Sequence, residues 1–187
     1  ESLAGMEPAF ARLGAAGVDA YQLAASPDLE AINHVHTAGN SPAMADAACL
    51  LVLGDATAGD ALATAPRARI AASVTVAADP LEVLSGCIEA TRVLLERTGL
   101  AAEDIDLFEI HEAFAATSVL AERRFAIEGR HNVNGGVIAL GHPMGATGAI
   151  MTLTLLDELE RRGLRRGLVA AAGAAGSGSA LLIDREL

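Results

Sequence analysis

Residues 132–148 read NVNGGVIALGHPMGATG and form the most informative stretch of the 187-residue chain. Gly141 and Gly145 leave room for the close approach of another backbone or a ligand. Pro143 stiffens the turn that holds His142. The stretch therefore places a histidine in a stiff turn, just before a helix start that is rich in small residues.

Outward from this stretch, the chain alternates runs that are typical of strands and of helices. Apolar or β-branched runs predict strands at 48–53, 69–77, 106–110, 167–172 and 179–183. Helices are predicted from the Asp79-Pro80 cap to Gly99, over 112 to about 126, and from about 146 to Gly163, the last buried along Ile150, Leu153 and Leu156. This order, ending in a hairpin, predicts an α/β fold with a mixed, mainly parallel sheet covered by helices on both faces.

Composition restricts the classes of function. All 13 basic residues are Arg against 24 acidic ones, and the net charge of -11 argues against binding of nucleic acid or an anionic membrane. A hydrophobic fraction of 52% supports a substantial core. Cys49 and Cys87 lie in apolar runs and are predicted to be buried thiols. The sequence shows no signal segment and no span of ~18 apolar residues, which predicts a cytoplasmic protein without a membrane span.

Two histidines are candidates for chemistry. His142 precedes a helix N-terminus, whose dipole disfavours a charged imidazole and so favours a general base; the alternative is a histidine that caps the turn. His111 lies where the strand DLFEI ends, and it could donate a hydrogen bond to an oxyanion or be a surface loop residue. His34 and His36 are two residues apart, but no third ligand has suitable spacing, and no metal site is predicted.

Several segments together resemble the thiolase family. The 132–148 loop resembles its signature loop, TAGN at 37–40 its central loop, IHEAFAA at 110–116 its Asn/His-Glu-Ala-Phe motif, and GLVAAAGAAGSG at 167–178 its glycine-rich hairpin. The resemblance implies that residues 1–55 are the end of the N-terminal domain, a loop region with its last strand, and that 56–187 are the C-terminal domain. It also implies that the family's N-terminal half, with the nucleophilic cysteine, is a missing partner, and that the intact protein is a homodimer or homotetramer.

Site residues follow from the resemblance position by position. His142 matches the histidine that activates the nucleophilic cysteine, and with His111 it would line the oxyanion holes. A histidine at 111 resembles the fatty-acid-oxidation subgroup. Ala172 stands where the family has a second cysteine, which removes and returns the α-proton of the acyl thioester. A methyl group can do neither.

A coenzyme A contact region is implied for the loop that contains Ala38, Asn40, Ser41 and Pro42, although the family commonly has Ser where Pro42 stands. The implied function is acyl-CoA acyltransfer, by 3-ketoacyl-CoA thiolysis or acetyl-CoA condensation, with coenzyme A thioesters as substrates and no separate cofactor. This chain alone is predicted to be inactive. The alternative is a non-catalytic, thiolase-like subunit that binds acyl-CoA or supports a partner subunit.

Overall fold

The computed structural model describes residues 3, 5–55 and 57–186. Within them, one sheet has the strand order β1-β4-β3-β2, formed by β1 (Arg69–Ala77), β2 (Leu107–Ile110), β3 (Arg166–Ala172) and β4 (Ser177–Asp184). β4 runs antiparallel to both β1 and β3, while β2 and β3 are parallel. The mixed sheet is confirmed. The prediction of a mainly parallel sheet is wrong, because the C-terminal hairpin places β4 between β3 and β1.

Helices surround this sheet. They are α1 (Ala11–Leu13), α2 (Asp19–Ala25), α3 (Ala58–Leu62), α4 (Gly86–Thr98), α5 (Ala115–Phe125), α6 (Val137–Leu140) and α7 (Thr147–Arg162). A wider helical turn over Gly14–Val18 joins α1 to α2. None of the described helices is long and apolar enough to cross a membrane.

The sheet is covered on both faces, as predicted. Side chains alternate along β2, so Phe108 and Ile110 enter the core that α4 and α5 share, whereas Leu107 lies in the core formed with α7. The buried row of α7 contains Met151, Leu155 and Leu159, four residues apart. The predicted row of Ile150, Leu153 and Leu156 is only half-buried, because the helix is rotated so that the 151/155/159 row faces the strands.

α4 begins later than the sequence predicts. Asp79 accepts a backbone hydrogen bond from Leu81 at 2.9 Å and caps only the short turn Pro80–Glu82. Val83 then has φ 54°, which ends the turn. The helix starts at Gly86, where an added Cβ would lie 2.1 Å from the carbonyl oxygen of Ser177. This close contact with β4, invisible in the local sequence, fixes where the helix begins.

The apolar run at 48–53 does not form the predicted buried strand. Its residues have no strand pairing in the described structure, and Leu50 is 84% exposed. Cys49 is accordingly half-buried, which contradicts the prediction for this thiol, whereas Cys87 is buried as predicted. Apolar character alone cannot make a strand when no neighbouring strand is available to pair with it.

Candidate active site

The candidate site lies where the parallel strands β2 and β3 end. His111 follows β2 directly, and its backbone N–H donates to the carbonyl oxygen of Ala170 at 2.8 Å. Ala172 is the last residue of β3. Because carboxyl ends of parallel strands meet at one edge of a sheet, the strand pairing brings these two positions together.

His142 reaches the same edge from the glycine-rich loop. Its backbone N–H donates to the carbonyl oxygen of Ala43 at 2.8 Å, and its Nδ1 lies 2.8 Å from the Thr147 hydroxyl oxygen. The ring centroids of His142 and His111 are 4.7 Å apart. Since Thr147 engages Nδ1, Nε2 is the nitrogen that remains for a substrate or a nucleophile.

His111 is 7% exposed, and neither of its ring nitrogens has a hydrogen-bond partner among the described residues. Burial lowers its pKa, and the neighbouring His142 lowers it further, against smaller opposing effects of the Ala172 backbone and Glu112. The imidazole is therefore neutral near pH 7. Buried polar atoms without partners are rare in proteins, and here they face the second histidine.

Ala172 is half-buried, its backbone lies close enough to His111 to affect the pKa of that histidine, and the residue packs against the core that α4 and α5 share. Its methyl side chain can neither accept nor donate a proton, so the described residues leave this position of the site without an acid or base. Its place at the end of β3 agrees with the strand predicted over 167–172. Its correspondence to a family cysteine stays a prediction.

Glu112 and Asn132 hold the two histidine-bearing loops together. Asn132 accepts a hydrogen bond from the Ile110 backbone N–H at 2.8 Å and donates to its carbonyl at 2.9 Å. The Glu112 carboxylate accepts hydrogen bonds from Asn132 at 3.1 Å and from the Ile138 N–H at 3.0 Å. Gly136 makes room for this carboxylate, since a Cβ there would lie 2.3 Å from it. Glu112 thus precedes α5, contrary to the predicted helix start at 112, and joins the two loops.

The loop containing Ala38, Asn40, Ser41 and Pro42 is a tight turn. The Asn40 side chain accepts from the Thr37 N–H at 2.9 Å and donates to the Val35 carbonyl at 2.8 Å. The Ser41 hydroxyl donates to the Thr37 carbonyl at 2.7 Å. The side chains of Asn40 and Ser41 thus form hydrogen bonds with the backbone of residues 35–37. Ala38 is exposed and Pro42 is half-buried. The loop leads directly to Ala43, whose carbonyl oxygen accepts the hydrogen bond from the His142 backbone N–H. The predicted coenzyme A contact loop and the His142 loop are therefore neighbours.

The remaining candidates make separate contacts. His34 lies 2.9 Å from a carboxylate oxygen of Asp19, whereas the ring of His36 lies 4.4 Å from that of Phe114. Sequence reasoning did not identify Glu109 or Thr147. Glu109 could have been found as a glutamate inside the apolar run LFEI, and Thr147 as a threonine five residues after His142.

Comparisons with known proteins agree with this architecture. A family model described as "Thiolase, C-terminal domain" matches residues 64–185. The 3-ketoacyl-CoA thiolase of Serratia proteamaculans (strain 568) is 38% identical over 163 residues, which cover 85% of this chain and 42% of that protein. The acetyl-CoA acetyltransferase of Syntrophomonas wolfei is 38% identical over 151 residues, covering 79% of this chain and 38% of that protein.

Solved structures give the same result. The crystal structure of the Bacillus anthracis acetyl-CoA acetyltransferase matches with a TM-score of 0.81 and 34% identity, over 98% of this chain and 42% of that chain. Human mitochondrial 3-ketoacyl-CoA thiolase matches with a TM-score of 0.75 and 32% identity, over 85% of this chain and 41% of that chain. The chain therefore spans less than half the length of the relatives it matches.

Proposed function

Since this chain belongs to the thiolase family through its C-terminal domain, we propose that it supplies the histidine half of an acyl-transfer site for coenzyme A thioesters. The observation that carries the proposal is the His111–His142 pair, with ring centroids 4.7 Å apart at the carboxyl end of β2. The nucleophilic thiol comes from the family's N-terminal half. No separate cofactor takes part, because the acyl carrier is itself the substrate.

In the proposed acylation step, Nε2 of His142 accepts the proton of the nucleophilic thiol. The thiolate attacks the thioester carbonyl carbon, and a neutral His111 donates an N–H hydrogen bond to the developing oxyanion. Collapse of this intermediate breaks the bond to the coenzyme A sulfur, and the His142 imidazolium returns the proton to that leaving thiolate. Every proton taken up is thereby released.

The step that forms or cleaves the carbon–carbon bond requires a different chemical group. Forming or cleaving the bond in a 3-ketoacyl-CoA requires transfer of an α-proton, and Ala172 has no group that can transfer it. We propose that the described residues support acylation, and that 3-ketoacyl-CoA thiolysis or acetyl-CoA condensation is slow unless another group acts as the base. The proposal also places the chain in the fatty-acid-oxidation subgroup, which His111 suggests. The intact protein is proposed to be a homodimer or homotetramer.

Ala172 also favours a second candidate function, a non-catalytic subunit that binds acyl-CoA through the loop at 38–42. In that case coenzyme A thioesters bind, but no acyl group is transferred. The buried, neutral His111 would then be a hydrogen-bond donor to the bound thioester carbonyl.

Acyl-enzyme formation distinguishes the two candidates. The full-length gene product is incubated with acetyl-CoA and analysed by intact mass, as are its His142→Asn and His131→Asn variants. Acyl transfer predicts an acetylated protein that is lost in His142→Asn and retained in His131→Asn, the control for loss of a half-buried histidine. Binding of coenzyme A by calorimetry without acetylation of the unaltered protein supports the binding subunit. Thiolysis of acetoacetyl-CoA by the 187-residue chain alone would contradict the division of the site into two halves.

A further inference from the structure

Behind His142 lies a cavity of about 170 Å³ that the proposed acylation step does not use. Its walls come from the glycine-rich loop, the first turns of α7 and residues 45–47. Thr147 lines it, and the same threonine hydroxyl is 2.8 Å from Nδ1 of His142. Thr147 therefore links the cavity to Nδ1 of His142.

Glu109 lines this cavity from β2. Strand alternation directs it to the α7 face, together with Leu107. The residue is 4% exposed. Burial raises its pKa to about 8, and the negative charge of Glu112 contributes to the rise. A carboxyl group in this state exchanges its proton near neutral pH.

The two charged residues that line the cavity, Asp46 and Glu109, are both acidic. Asp46 lines the cavity from the loop, and Glu112 lies on the chain three residues after Glu109. α7 contributes Thr147, Ile150, Met151 and Thr154, and the glycine-rich loop contributes only uncharged residues. Water can enter a cavity of this size, since one molecule needs ~10–15 Å³ of such space and two to four polar partners. Thr147, Thr154, Asp46 and Glu109 provide such partners.

We propose that Glu109 is a positioning residue that exchanges a proton with His142 through the Thr147 hydroxyl and water in the shared cavity. A hydroxyl group can accept one hydrogen bond while it donates another, which the transfer requires. When Glu109 is ionised and Nε2 of His142 accepts a proton, Nδ1 gives its proton to the Thr147 oxygen, and the Thr147 proton passes through water to the Glu109 carboxylate. His142 ends as the neutral Nε2–H tautomer, Thr147 ends unchanged, and Glu109 gains one proton.

In its ionised form, Glu109 thereby gives the site a proton acceptor that does not depend on residue 172. Its use in catalysis rests on the proposed function, but the coupling of the two side chains does not. When two titratable groups interact, each proton loss changes the signals of both groups. A change of charge on Glu109 should therefore shift the NMR signals of His142.

Histidine side-chain NMR of the chain, recorded without substrate from pH 5 to 9.5, tests the coupling. The His142 signals are assigned by comparison with His142→Asn. In the unaltered chain the His142 signals should show a second step near pH 8, which reports the charge of Glu109. The second step should disappear in Glu109→Gln and in Thr147→Val, and should remain in Thr154→Val, a matched loss of a cavity hydroxyl that does not bond His142.

A single step in the unaltered chain overturns the proposal, as does a second step that persists in Glu109→Gln. Loss of the second step in Thr154→Val but not in Thr147→Val overturns the route through Thr147. If Glu109→Gln does not fold, Glu109→Asp should retain the second step at a shifted midpoint, and an unshifted midpoint contradicts the assignment. Acylation assays play no part in this test, so failure of acyl transfer leaves its result intact.

Discussion

Ala172 occupies the end of a core strand next to a buried neutral histidine, a position suited to a group that exchanges protons with a bound thioester. Replacing it by cysteine in the full-length protein should raise thiolysis of acetoacetyl-CoA by ~10²–10⁴-fold, the usual contribution of a general acid or base. Acyl-enzyme formation should stay the same, since it needs only His142 and His111. Steady-state thiolysis and intact mass measure the two steps separately.

Ala171→Cys is the matched control for this substitution. Neighbouring side chains in a strand point to opposite faces, so a thiol at 171 lies on the other face of β3 from residue 172. Acylation without any gain of thiolysis in Ala172→Cys would show that position 172 is not the vacant acid–base position.

Glu109 makes stability depend on pH in a defined direction. Its pKa is about 8 in the folded protein against ~4.3 in an unfolded chain, so the folded state binds the proton more tightly. This contribution is fully present below pH ~4.3 and is lost as pH rises through about 8. Glu109→Gln removes this contribution. As pH rises, the unfolding free energy of the variant should therefore increase relative to that of the unaltered chain, by at most about 1.4 kcal/mol per pH unit.

Urea unfolding between pH 5 and pH 8.5 measures this difference. Glu103→Gln, which neutralises an exposed carboxylate, serves as the control and should follow the unaltered chain. Parallel curves for Glu109→Gln and the unaltered chain would mean that Glu109 is ionised in the folded protein at neutral pH.

Single residues show how far local sequence can predict a site. His111 and His142 are identifiable because each adjoins the start or end of an element, and the structure places them in contact. The role of Glu112 was not predictable, because its partners Asn132 and Ile138 lie 20 and 26 residues away and meet it only in the folded chain. Glu109 was missed for the same reason: its cavity forms between β2, α7 and a distant loop.

At the scale of elements, α7 offers a direct test of which face is buried. Leu155→Ala should lower the free energy of unfolding by about 2–5 kcal/mol, because Leu155 is 1% exposed in the core between α7 and the sheet. Leu153→Ala, the same substitution on the half-buried side predicted from the sequence, should cost clearly less. Urea unfolding compares the two variants, and equal losses would contradict the orientation of α7 described above.

The ends of elements were predicted better than their beginnings. Gly99 and Gly163 adopt left-handed conformations that end α4 and α7, which is a local property that glycine signals reliably. The starts of α4 and α5 depend on contacts with β4 and with the glycine-rich loop. Strand direction is also non-local: the hairpin of β3 and β4 was predictable from its turn, but the pairing of β1 with β4 was not.

For the whole molecule, the segment at 48–53 exposes several large apolar side chains. Leu50, Val52 and Leu53 are 84%, 73% and 72% exposed. Contiguous exposed apolar groups favour association, so changing these three residues to Ser should weaken self-association of the 187-residue chain in sedimentation velocity. The unfolding free energy should change little, because exposed side chains contribute little to the core. A chain that is already monomeric at high concentration would contradict the expectation.

The position of β4 in the sheet has a consequence for how the protein is made. The hydroxyl oxygens of Thr75 and Ser179 lie 3.2 Å apart on β1 and β4, although 104 residues separate them along the chain. On the ribosome, β1 therefore emerges long before its partner, and a nascent chain that stops before residue 177 has no strand to place beside β1 or on the open side of β3. Closing so long a loop is slow, so the sheet is completed late. During synthesis the edge of β1 is left open to chaperones or to the same strand of a neighbouring nascent chain.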